Sequence, residues 1–256
     1  MENSDRLNRQ LYNLYWEYWP NLIEYFEEIN ATKFGLSYPL LLYVFPGYTM
    51  ARFRLMIIGK STAGWTRYGE DLGDDPIRKL MKEYEAFRLG LGKTVDNPLS
   101  PFWCVVRYIY SRLNPDAPSL GFVWNNIIKV DQERDNVSRE PEEDIAENVC
   151  RVFPVLPREI EILRPDVVIF MMGRRFFTKW ANICLGKVKL GKHSKYGREL
   201  ELIRNRHLPR LSFRINHPAY YCFTPREYYT NDRRKIWCLI KILNAMFNYI
   251  EKKQHK

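Results

Sequence analysis

The segment Asp166–Met172 (DVVIFMM), closed by Gly173, constrains the fold more than any other. Its apolar side chains point alternately to the two faces of a strand, so both faces must be covered. Such a strand belongs inside a parallel sheet with helices above and below it. Arg54–Gly59 (RLMIIG) has the same character and runs into a loop, and Val123–Val130 (VWNNIIKV) and Leu211–Asn216 complete a set of four strands.

Helical patterns fill the intervals. Residues 6–29 carry Leu11, Leu14, Tyr18, Leu22, Tyr25 and Ile29 at three-and-four spacing, which predicts one aromatic-rich amphipathic helix that Pro20 kinks or splits. Residues 76–90 and 101–113 read as helices separated by the loop GKTVDNPLS. A helix over 145–163 should be interrupted by Pro154 and Pro157, another begins at 174–180, and a last one spans 226–253. The basic, glycine-punctuated residues 186–210 read as a hairpin or loop. Strands alternating with helices imply right-handed crossovers and a ligand site at the carboxyl ends of the strands. The loops leaving those ends are residues 59–65, 125–132, 173–176 and 216–223.

With 46% apolar and 27% charged residues in 256, the chain can bury a sizeable core. No apolar run exceeds Leu40–Phe45, far short of the roughly 20 residues that span a bilayer, so no membrane partner is expected. The start MENSDRLNRQ lacks the order of a secretory signal, and an intracellular location is the expectation. Five scattered cysteines without a C-x-x-C pair read as reduced thiols rather than a zinc site or disulfide framework. The net charge of +10 is polarised: residues 171–256 hold 20 basic against 5 acidic side chains, and the remainder holds 20 against 25. An anionic partner should therefore meet the C-terminal third.

Gly59-Lys60-Ser61-Thr62 after an apolar strand has the look of a nucleotide-triphosphate loop. That loop needs a second glycine where Arg54 stands inside the strand, which leaves no length for backbone amides to wrap phosphates.

Five segments in order carry a different pattern: Ile57–Gly64 after the first strand; Pro101-Phe102 opening a helix; Asn126-Ile127-Ile128-Lys129; Glu159–Gly173 (EIEILRPDVVIFMMG); and Asn216-His217-Pro218-Ala219-Tyr220-Tyr221. Together they resemble the uracil-DNA glycosylase superfamily, most closely its thermostable iron–sulfur branch, over about Leu55 to Tyr221. The resemblance implies a three-layer α/β/α sandwich around a four-stranded parallel sheet (residues 51–256), preceded by an N-terminal helical extension (residues 1–50). It implies a monomer that flips a base out of duplex or single-stranded DNA and hydrolyses its N-glycosidic bond. His217 would donate to the departing base, Phe102 would stack on it, and Gly59 would bound the catalytic loop. An Asn amide reads a pyrimidine edge with one acceptor and two donors. The following Ile-Ile-Lys selects Asn126, another spacing in the superfamily selects Asn125, and strand alternation lets only one face the pocket. Pro218, Ala219, Tyr220 and Arg226 would contact DNA, with its edge along residues 187–226.

Lys60 and Ser61 stand where active relatives carry Asp, Asn or Glu to position water. They are the catalytic-loop candidates here, with Glu70, Asp71, Asp74 and Asp75 near enough in sequence to bring a carboxylate. Cys150 occupies a cluster-like position, but an iron–sulfur cluster needs about four thiolates, so no cofactor or metal is expected. Two other readings stay open: a glycosylase fold that binds nucleic acid without catalysis, and a nucleoside-processing enzyme.

Overall fold

The computed structural model describes residues 3–92, 100–193, 196–222 and 232–254. In chain order the elements are α1 (Ser4–Glu28), α2 (Pro46–Met50), β1 (Leu55–Gly59), α3 (Pro76–Phe87), α4 (Pro101–Leu113) and β2 (Phe122–Asn126). A short hairpin, β3 (Gln132–Arg134) and β4 (Val137–Arg139), precedes α5 (Glu143–Val152), α6 (Val155–Leu163), β5 (Val167–Met171) and α7 (Arg174–Leu185). The chain then forms β6 (Lys189–His193), β7 (Gly197–Arg204), β8 (Leu211–Ile215), α8 (Ala219–Cys222) and α9 (Asp232–Gln254). Of the helix expected over 226–253, residues 226–231 lie outside the described residues, as does most of the loop after α3.

The four strands expected from sequence run parallel in the order β2-β1-β5-β8, but the sheet has six strands rather than four. Strands β6 and β7 pair antiparallel, and β7 also pairs antiparallel with β8. The hairpin was expected as one alternative, but charge concealed its place in the sheet: Glu201, in the middle of β7, is fully buried and bonded to Arg174 and to the buried Arg214 on β8.

Helices cover both faces of the sheet, as the register shows. Ile169 pairs with Phe213 and Phe170 with Arg214, so Phe170 and Phe213 point to opposite faces. Phe170 meets Phe177 of α7, and Phe213 meets Tyr249 of α9. Helices α1, α5, α6 and α7 pack together on the first side.

Pro20 does not split α1, which runs on from Ser4 to Glu28. Leu7, Leu11, Leu22 and Phe26 are fully buried in the same core as the sheet. Burial at roughly 1.5–3 kcal/mol for each large side chain outweighs the roughly 3 kcal/mol cost of an interior proline. Pro154 does break the next long helix, ending α5 and capping α6.

Strand β2 stops at Asn126 instead of reaching Val130. Beyond it the backbone turns to other partners: Ile127 and Ile128 N–H donate to the carbonyls of Gly59 and Lys60, and the Lys129 carbonyl accepts from Leu40 N–H. The loops after β1 and β2 are thereby tied side by side.

Candidate active site

A cavity of about 850 Å³ opens at the carboxyl ends of β1 and β2, where the chain leaves the sheet. Among its lining residues are Gly59, Lys60, Ser61, Phe102, Asn126 and His217, which arrive from four separate segments. Asn125 does not reach it. Its amide donates to Glu159 at 2.8 Å and accepts from Lys129 at 2.7 Å on the opposite face of the sheet. Lys129 Nζ also lies 2.6 and 2.7 Å from the two Glu159 oxygens, and Tyr15 hydroxyl donates to the same carboxylate at 2.8 Å. This buried network fixes Asn125, and strand alternation then turns Asn126 toward the cavity.

Asn126 is 1% exposed, and its Nδ2 has no hydrogen-bond partner among the described residues. Gly59 must be glycine for this amide to fit, because a Cβ there would lie 2.5 Å from Asn126 Oδ1. A buried amide donor without a partner costs about 1–3 kcal/mol, so it calls for an acceptor from a ligand or water in the cavity.

His217 leaves the end of β8 and is held from behind. Its Nδ1 accepts from Ala219 N–H at 3.2 Å, which leaves the proton of the neutral ring on Nε2. Arg214 anchors the loop by donating to Asn216 Oδ1 at 2.6 Å and to the Met172 carbonyl at 3.2 Å. Burial, helped by the Lys60 charge, lowers the imidazole pKa from its ordinary 6.5. The ring is therefore a neutral donor at neutral pH.

Phe102, held at the start of α4 by the Ser100 cap, lies nearly parallel to His217 with centroids 5.6 Å apart. Two stacking gaps of at least about 3.5 Å each need about 7 Å, so no base fits between these rings at this spacing.

No carboxylate follows Gly59, but one arrives from elsewhere. Glu140, just past β4, lines the cavity and bonds Lys60 Nζ at 2.9 Å. Arg67 holds the hairpin in place, pairing with the buried Asp131 and with Glu133 and donating to Ser138 at 2.6 Å. Lys60 Nζ also sits 4.8 Å from the centre of the Phe176 ring. The acids considered near the loop do not line the cavity. Asp75 caps α3 through Arg78 N–H and accepts from Tyr12 hydroxyl, and Glu70 bonds Arg67 N–H.

Sequence reasoning also missed Glu83 on α3 and a wall of rings from Trp65, Phe87, Trp103 and Trp124. Trp124 could have been found, since it lies two residues before Asn126 and shares its strand face. Trp103 directly follows Phe102. Of the DNA-contact candidates, Pro218 is buried, Ala219 serves to hold His217, Tyr220 is 58% exposed, and Arg226 lies outside the described residues. Among the described residues no group of His, Cys, Asp and Glu side chains could hold a metal ion, and no helix is long and apolar enough to cross a membrane.

No protein-family model matches the chain, and no curated protein matches its sequence.

Proposed function

We propose that this protein is a base-flipping DNA glycosylase with the fold of the uracil-DNA glycosylase superfamily. The observation that carries the reading is the convergence, in one cavity at the carboxyl edge, of a neutral histidine donor, an unpartnered buried amide and a set of aromatic faces. Hydrolysing an N-glycosidic bond needs these groups. The C1′–N bond breaks with its electron pair going to the base, and His217 Nε2–H stabilises the oxygen on which that charge settles. Water forms the new bond to C1′, and Glu140 takes its proton, in the role that other superfamily members give to an acid after the strand glycine. Asn126 reads the base edge, and Lys60 holds Glu140 at the cavity wall.

The partner is DNA, and the basic hairpin supports a contact edge beside the site. Leu200 of β7 pairs with Ile215 of β8, so the start of β7 lies on the same edge of the sheet as His217.

The test is incubation of the protein in excess with single-stranded and duplex oligonucleotides carrying uracil, hypoxanthine, xanthine or hydroxymethylated bases. Alkaline cleavage then reveals abasic sites. Strand breaks at one of these bases are expected. Salt-sensitive binding with no breaks on the whole panel would instead make the protein a nucleic-acid binder that has lost catalysis.

A further inference from the structure

Beyond the groups that hydrolysis uses, the cavity holds polar atoms that have nothing to bond. Thr62 Oγ1 and Trp65 Nε1 are buried and without a hydrogen-bond partner among the described residues, and Thr62 is 2% exposed. Glu83 presents a half-buried carboxylate, engaged by the Thr66 hydroxyl. Its pKa is raised by burial, with the hydroxyl opposing. Around them the rings of Trp65, Phe87, Trp103 and Trp124 pack against one another and face the same space. At about 850 Å³ the cavity falls in the upper part of the roughly 300–1,000 Å³ range that takes drug-sized ligands. A single pyrimidine ring fills little of it.

The balance of donors and acceptors says what could fill the rest. Trp65 N–H and the Asn126 amide N–H groups can only donate, an ionised Glu83 can only accept, and the Thr62 hydroxyl does either. An ammonium group offers donors alone, so it would satisfy Glu83 and leave the two N–H donors unmet. A plain hydrocarbon would satisfy none of them. Hydroxyl groups both donate and accept, and the C–H face of a sugar ring packs flat on aromatic side chains.

We propose that this chamber receives a polyhydroxylated, sugar-like substituent carried on the flipped base, so that the preferred substrate is a glycosylated pyrimidine rather than plain uracil. The inference rests on the glycosylase reading and names its substrate class. The bond broken is still the one between base and deoxyribose; the substituent leaves with the base.

The experiment uses the full chain and duplex oligonucleotides containing uracil, 5-hydroxymethylcytosine or glucosylated 5-hydroxymethylcytosine, with abasic sites counted under single-turnover conditions. The glucosylated base should be released at least about tenfold faster than the hydroxymethylated one. Thr62→Val, which removes one hydroxyl and keeps the volume, should lower that preference by about tenfold, the worth of one well-placed hydrogen bond. Because it also deletes an unpartnered buried hydroxyl, it should leave the melting temperature of the free protein unchanged or higher. Release of uracil with the glucosylated base spared would overturn the inference and leave the glycosylase reading standing. A preference that neither Thr62→Val nor Glu83→Gln reduces would overturn the chamber assignment. Binding of free methyl glucoside without preference among the oligonucleotides would also overturn it, by making this a site for free sugar. If no abasic sites form on any of the three or on hypoxanthine and xanthine controls, the glycosylase reading falls and this inference with it.

Discussion

His217 depends on two neighbours for its state. Ala219 N–H occupies Nδ1, and Lys60 adds a positive charge that, after burial, keeps the ring from taking a second proton. Since the folded pKa lies below the unfolded value, the unfolded chain binds the extra proton first. Stability should therefore fall as pH drops below about 6.5 and level off once the pH is under the folded pKa. An NMR titration should place the His217 midpoint below 6.5, and Lys60→Met should raise it. A midpoint at or above 6.5, or one that Lys60→Met leaves unmoved, would contradict this account. At this scale Gly59, Lys60, Ser61, Phe102, Asn126 and His217 were legible because each sits at the end of a strand or the start of a helix. Glu140 was not, because it reaches Lys60 across 80 residues through the Arg67 clasp, which no local pattern reveals.

Among the elements, β2 and α6 show how a buried ionic network can serve a site it does not touch. Lys129 is 4% exposed and Glu159 fully buried, with Asn125 and Tyr15 completing their bonds. Burial pulls the Lys129 ammonium below its ordinary pKa, while the facing carboxylate pulls it back. Lys129→Met would strand Glu159 in the core, and urea denaturation should show a loss of about 3–5 kcal/mol. A loss under about 1 kcal/mol would mean that the network does not hold this part of the sheet. The central strands and the break at Pro154 were legible because apolar runs and prolines act locally. The β6–β7 hairpin was legible as a hairpin or loop over residues 186–210, but its joining the sheet beside β8 and the pairing of Lys129 with Glu159 were not, because Glu201, Arg214, Lys129 and Glu159 give no local sign of their partners.

Over the whole molecule, the C-terminal third that carries the excess charge supplies β6, β7, β8 and α9. The sheet order puts β8 and the basic hairpin on one side of β5 and the cavity-forming β1 and β2 on the other. DNA bound across the carboxyl edge would meet the cations of this hairpin beside the pocket as well as Lys60 and Arg139 at its wall. Since each phosphate contact lowers log K by about 0.9 per decade of salt, duplex affinity should fall at least tenfold, roughly, between 50 and 200 mM salt. A flat dependence would move the partner elsewhere. The proposed glycosylase activity puts His217 at the breaking of a base–sugar bond in this cavity. Its most direct measurement is the single-turnover rate of abasic-site formation for the intact protein and for His217→Ala on the same modified duplex. A loss of about 10²–10³ in rate is expected, as for removal of one preorganised donor at a developing anion. Equal rates for the two proteins would contradict it.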